Sequence, residues 1–296
     1  MRSCRIPLVF FVILASVSLG QAGETSAITS VSWTPQRLQS GSVCLFTVVL
    51  TADATALSGK WMGHDVYFAK ARGRNAWYAL GGVDVEAKPG IHDLHLQATM
   101  PDGKSVIAVR NIQVQRAAYK TERLRVPHNY VEPDAAALHI IAADKVAKDQ
   151  AFARESPAAQ WSGDFQPPVK SEVSETFGIR RTFNGKLASV HRGLDYHAKP
   201  GTPVLASNSG EVLLARGLFY EGNCVAIDHG QGFVTLYMHL SKIEVSEGDK
   251  VRKGQEIGLS GATGRVTGPH LHMAVRWDGA YVDPAKLFQL DLPSMQ

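Results

Sequence analysis

The sequence predicts a mainly β protein. It reads as an immunoglobulin-like β-sandwich, then one bridging helix, then a second, mostly antiparallel β domain. Three observations carry this. Short apolar runs are punctuated by turn formers over residues 28–116 and again over 169–290. The period changes to a helical one only near 133–155. With 296 residues, 45% hydrophobic and 20% charged, the composition is that of a globular chain long enough for two domains. Disordered, collagen-like and coiled-coil classes are excluded on the same grounds.

Residues 1–22 form the first element. Arg2 and Arg5 make a basic start, Pro7 to Leu19 an apolar stretch of 13 residues, and Gly20-Gln21-Ala22 a small-residue cleavage site. This is the pattern of a secretory signal cut after Ala22. A membrane span needs about 20 apolar residues, so no span is expected after cleavage. Removing Arg2 and Arg5 lowers the formal charge from +4 to +2, which gives no argument for a nucleic-acid partner. Cys4 leaves with the signal; Cys44 and Cys224 remain, each in an apolar strand-like run, and read as two buried free thiols.

The sandwich is expected over 28–116, with strands at 45–50, 65–69, 93–98 and 107–114, and with Pro89-Gly90 and Pro101-Asp102-Gly103 as turns. The disulfide of an antibody-type domain is absent. Residues 117–168 read as a linker containing the helix. Pro133-Asp134 is its start signal, and Ala136, Leu138, Ile140, Ile141, Ala143, Val146 and Ala147 follow at helical spacing. Trp161, Gly163 and Pro167-Pro168 lie in the remaining linker. From 169 on, strands are expected at 204–206, 210–214, 224–228, 233–239 and 271–277.

The histidines point to chemistry. Of 11, six lie between residues 191 and 272. His191 and Asp195 bracket Arg192-Gly193-Leu194 on a loop entering a strand. His239 stands at a strand end. His270 and His272, two apart in a strand, face the same side. Two histidines and one carboxylate form a ligand set for a catalytic zinc, which keeps a fourth position open. His191, Asp195 and one of the His270/His272 pair complete such a set. His239 and the remaining member are then left beside the metal, suited to proton transfer and oxyanion stabilisation. His64, His92, His95, His128 and His139 lack metal-like neighbours and read as ordinary surface or core residues. His197 reads as flanking, and His229, in Asp228-His229-Gly230, as an exposed turn residue.

Residues 173–287 resemble the lysostaphin/LytM-type zinc metallopeptidases. The resemblance is carried by FGIRRTFNG (177–185), HRGLDYHAKPGTPV (191–204), GNCVAIDHGQGFVTLYMHLS (222–241), EGDKVRKGQEIGLSGATGRVTGPHLHMAV (247–275) and VDP (282–284). Trp77 to Asp84 with Lys88-Pro89-Gly90 more weakly resembles the leading domain of Gram-negative members. Tyr196-His197 and Cys224 depart from the family pattern without removing a ligand. The resemblance implies an antiparallel β metallopeptidase domain. It implies one Zn2+ per chain on His191, Asp195 and His272, with His239 and His270 as catalytic histidines. It further implies hydrolysis of peptidoglycan peptide cross-links, at D-alanyl–diaminopimelate bonds, by a protein exported to the periplasm or cell envelope. Its alternative is a non-catalytic regulator or wall-binding module that activates other hydrolases. Asn184, Phe219, Tyr237 and Thr267 are expected to line the substrate groove, and the leading domain is a candidate for self-inhibition.

Overall fold

The computed structural model describes residues 27–51, 54–70, 76–124, 133–183 and 187–294. The expected signal segment, 1–22, and Asn184 lie outside the described residues. Ten strands precede the first helix: β1 (Ile28–Thr34), β2 (Leu38–Gln39), β3 (Val43–Leu50), β4 (Ala56–Trp61), β5 (His64–Tyr67), β6 (Ala69–Lys70), β7 (Ala76–Gly82), β8 (Gly90–Thr99), β9 (Ser105–Gln115) and β10 (Thr121–Leu124). After α1 (Ala135–Phe152) come β11 (Val173–Glu175), β12 (Arg180–Phe183), β13 (Leu187–Val190), β14 (Gly193–Tyr196), β15 (Pro203–Leu205) and β16 (Gly210–Leu218). The chain ends with β17 (Gly222–Asp228), β18 (Phe233–Ile243), β19 (Lys250–Val251), β20 (Glu256–Ser260), β21 (Leu271–Trp277), β22 (Ala280–Val282) and α2 (Pro284–Leu287).

A four-stranded sheet, β1-β3-β7-β6, and a five-stranded sheet, β2-β9-β8-β4-β5, make the leading β part. Val43, Phe46, Val48 and Leu80 of one and Leu57, Leu94, Leu96 and Ile112 of the other are buried in one core. Burial alternates along β8, as a sheet with one wet face requires. The second β part is a ten-stranded sheet whose central order is β11-β14-β21-β18-β17-β16-β19. Its β17 and β18 are buried on both faces. Cys44 and Cys224 are buried free thiols, both held protonated by that burial.

The two parts are joined by more than a tether. Residues 121–124, read in the sequence as polar connection, form β10 and pair in parallel with β12. Four residues are too few for a periodicity to show. Gly82 faces Val282 and Trp277 so closely that a Cβ there would lie 2.8 Å from Val282 Cγ1. Trp161, read as linker, is buried at 1% exposure, and its indole N–H donates to Gln231.

Asp134 caps α1, accepting from the Ala137 amide at 2.8 Å. The helix buries only Ala151, while Leu138, Ile140 and Val146 stand exposed. Its apolar spacing therefore does not mark a core face. No helix among the described residues is long and apolar enough to cross a membrane.

Candidate metal centre

Sheet register assembles the centre. β14 pairs antiparallel with β21, placing Asp195 opposite His272, and β18 pairs with β21 from the other side, placing Met238 opposite His272. His191 precedes β14 by two residues. His270 precedes β21 and bridges to Gly261. His239 leaves the ladder with a left-handed backbone, φ 62°, its amide donating to the Glu221 carbonyl at 2.9 Å. His191, Asp195 and His239 are buried; His270 and His272 are partly exposed.

Three ligand atoms converge. His191 Nε2 lies 3.1 Å from Asp195 Oδ1 and 3.2 Å from His272 Nδ1, and the last two are 2.6 Å apart. Donors about 2.0–2.1 Å from a tetrahedral zinc stand roughly 3.3 Å from one another, so two edges already fit and the third closes as a hydrogen bond. His191, Asp195 and His272 are the described group able to hold a metal ion. Burial pushes the Asp195 pKa up, but the His191 and His272 rings set against it outweigh that and hold the carboxyl well below the usual range. Burial lowers the His272 pKa, with the Asp195 hydrogen bond opposing. Anionic carboxylate and neutral imidazole are the forms a metal requires.

Backbone carbonyls set the tautomers. A carbonyl can only accept, so the nitrogen facing it carries the proton. His191 Nδ1 faces the Thr176 carbonyl at 2.9 Å, which frees Nε2 toward the ligand cluster. His239 Nδ1 faces the Thr263 carbonyl and His270 Nδ1 the Gly268 carbonyl, each at 2.9 Å. Their free Nε2 atoms carry lone pairs. The His239 and His270 rings lie 4.9 Å apart, and His239 is 6.1 Å from the His272 ring. Burial, then repulsion from His272, lowers the His239 pKa to about 4, so its ring is neutral near pH 7.

Gly193 is a positioning residue that sequence reading missed. A Cβ there would meet Met273 O at 2.3 Å and His272 Nε2 at 2.5 Å. Gly193→Ala is therefore expected to displace the His272 ring and lower zinc affinity at least tenfold, read by competition with a chromogenic chelator. The glycine between His191 and Asp195 was the available signal.

Two expectations are corrected. Tyr237 does not line a groove. It is fully buried, and its hydroxyl accepts from the Ser207 amide at 2.8 Å and lies 3.0 Å from Thr235 Oγ1. His229 is not exposed. It is fully buried, with Nδ1 2.8 Å from the Ser209 carbonyl and Nε2 2.8 Å from Thr235 Oγ1. The Gln160 and Trp161 amides close over it, both donating to its carbonyl. Burial lowers its pKa from 6.5 to about 4. The unfolded chain takes up this proton first as pH falls. Stability is then full above about pH 6.5 and declines toward pH 4, by about 3 kcal/mol in all. Urea unfolding at pH 7 and pH 4.5 is expected to show a steeper loss in wild type than in His229→Gln.

Phe219 is partly buried in the 219–221 turn, stacked edge-on to Tyr220, and Thr267 is exposed in the loop before His270. The Arg265 amide donates to the Tyr220 carbonyl at 2.9 Å, so these two loops adjoin beside His239. The 219–221 turn is held by α1: Asp144 accepts from the Phe219 amide, and Lys148 pairs with Glu221 at 2.5 Å.

Residues 189–284 match the model of peptidase family M23. Peptidoglycan DD-endopeptidase ShyA of Vibrio cholerae is 47% identical over 122 residues, 40% of this chain and 28% of that protein. DD-carboxypeptidase/endopeptidase Mpg of Neisseria meningitidis is 41% identical over 124 residues, 42% of this chain and 29% of that protein. The chain thus spans less than a third of the length of these curated relatives. The crystal structure of a candidate peptidase M23 from Pseudomonas aeruginosa is similar across both β parts, with TM-score 0.64 and 28% identity over 85% of this chain and 95% of that one.

Proposed function

We propose, from the match of residues 189–284 to the model of peptidase family M23, that the chain is a zinc endopeptidase that hydrolyses peptide cross-links of peptidoglycan. The bond we assign is D-alanyl–diaminopimelate, and the site of action is the periplasm or cell envelope after export. One observation carries the reading: the ligand atoms of His191, Asp195 and His272 converge, with His239 and His270 beside them and neither among the ligands.

When bound, zinc supplies Lewis acidity that acidifies water and polarises the scissile carbonyl. The chain's own residues do the rest. His239, neutral and with its Nδ1–H fixed on Thr263, accepts a proton at Nε2 and returns it to the leaving amine. Burial of that ring disfavours the charged form, so the proton is not retained. His270 is fixed through Nδ1 on Gly268, and its Nε2 side lies 3.8 Å from Asp195, at the edge of the ligand cluster. There it orients the attacking water or, once protonated, stabilises the tetrahedral oxyanion. Zinc content and muropeptide release by the mature chain test the reading. A correctly folded chain that takes up no zinc from excess metal, or that stays inactive once loaded with zinc, contradicts it.

The grip of α1 on the 219–221 turn supports a regulatory reading of the bridging helix, in which it keeps the groove latent. Lys148→Ala in the full chain is expected to raise the hydrolysis rate if so; an unchanged or lower rate contradicts latency.

A further inference from the structure

A second concave site lies at the seam between the two β parts, a cavity of about 360 Å³. Lys88, Arg116 and Arg180 line it, all exposed, and among the described residues none lies within ion-pair distance of a carboxylate. The one acid of the lining, Glu86, is taken by Arg192 at 2.8 Å. The lining therefore carries three cations and one paired carboxylate, with Asp84 and Asp283 acting on Tyr119 of its wall. The chain from 116 to 120 leaves β9 without joining another strand, and the Ala117 and Ala118 amides have no partner among the described residues. These two amides are free to donate to a group held by the cations.

The cavity is built onto the metal centre. Tyr119 donates to the Ser40 carbonyl at 2.7 Å, and its ring sits on Gly178, where a Cβ would lie 2.1 Å from it. The Gly178 amide donates in turn to the His191 carbonyl at 2.8 Å. Arg180 pairs with Val190, the residue before His191, and Arg192, which holds Glu86, is the residue after it. The cavity wall and His191 thus share one stretch of hydrogen-bonded backbone.

We propose that this seam cavity binds a carboxylate of a peptidoglycan stem peptide, so that Lys88, Arg116 and Arg180 anchor the polymer beside the metal centre. The proposal rests on the peptidoglycan reading above for its ligand but not for its assay, because binding requires no turnover. A guanidinium holds a carboxylate through two parallel N–H donors, and a phosphate in the same way, so the test separates the two anions.

The test uses the full mature chain carrying His239→Ala, so that the probe survives. A soluble disaccharide-tetrapeptide with free carboxylates is titrated by calorimetry, with hydrogen exchange followed across residues 116–119. Lys88→Gln with Arg116→Gln is expected to weaken binding about tenfold and to remove the ligand-induced protection. The same probe with amidated carboxylates should bind the unaltered cavity as weakly. Equal affinity of both probes, or protection that survives the double substitution, overturns the proposal. So does full competition by millimolar inorganic phosphate, which marks an unselective anion site. Failure of the hydrolytic reading shows separately, as absence of cleavage by the wild-type chain.

Discussion

Replacing His239 by alanine is expected to leave one zinc per chain and a folded protein while lowering turnover of cross-linked peptide about 10²- to 10⁴-fold. The ring contributes no ligand atom to the converging set, so metal binding survives. What is lost is the one buried, neutral imidazole whose protonated nitrogen is pinned to Thr263. The backbone there is left-handed, which costs alanine about 1 kcal/mol or more. His239→Asn, whose side chain tolerates that conformation, separates the two effects: it should recover stability without recovering rate. Zinc analysis, thermal unfolding and hydrolysis on the same preparations decide it. Retention of more than a tenth of the wild-type rate in both variants contradicts the assignment.

Asp195→Asn is expected to abolish both zinc binding and hydrolysis. The side chain keeps its size, so packing between β14 and β21 is preserved and the loss is electrostatic. Asp195 stays ionised despite its burial because His191 and His272 both turn a nitrogen toward it. A neutral amide offers the metal no charge. Loss of an outer partner alone costs about 10- to 100-fold in affinity, and loss of the sole anionic ligand should exceed that. Dialysis against zinc followed by elemental analysis checks it. A stoichiometric zinc content in the folded variant contradicts the ligand set.

Much of this site was legible because its spacing is physical. His270 and His272 share a face by strand geometry, and register then brings Asp195 opposite His272. Choosing His272 over His270 as ligand was not derivable from spacing. The structure places His272 Nδ1 2.6 Å from Asp195 Oδ1 and 3.2 Å from His191 Nε2, while His270 Nε2 stands 3.8 Å from Asp195. The misreadings of Tyr237 and His229 have separate causes. In a sheet covered on both faces, alternation no longer separates inside from outside, and the segment around Trp161 that covers His229 is far away in sequence. The spacing along α1 located the helix, and a helix docked through Ala151, Asp144 and Lys148 leaves Leu138, Ile140 and Val146 to solvent. Gly193 stands in the sequence between His191 and Asp195, and the ring of His272 placed against it supplies the reason.

The central claim is that this centre, loaded with one zinc, cuts a peptide cross-link. Mass spectrometry of muropeptides after incubating purified cross-linked peptidoglycan with the zinc-loaded mature chain tests it most directly. The account predicts that cross-linked dimers decline and monomers appear with one water added at the D-alanyl–diaminopimelate bond, and that neither change occurs with Asp195→Asn. An unchanged muropeptide profile from a folded chain carrying one zinc would contradict it.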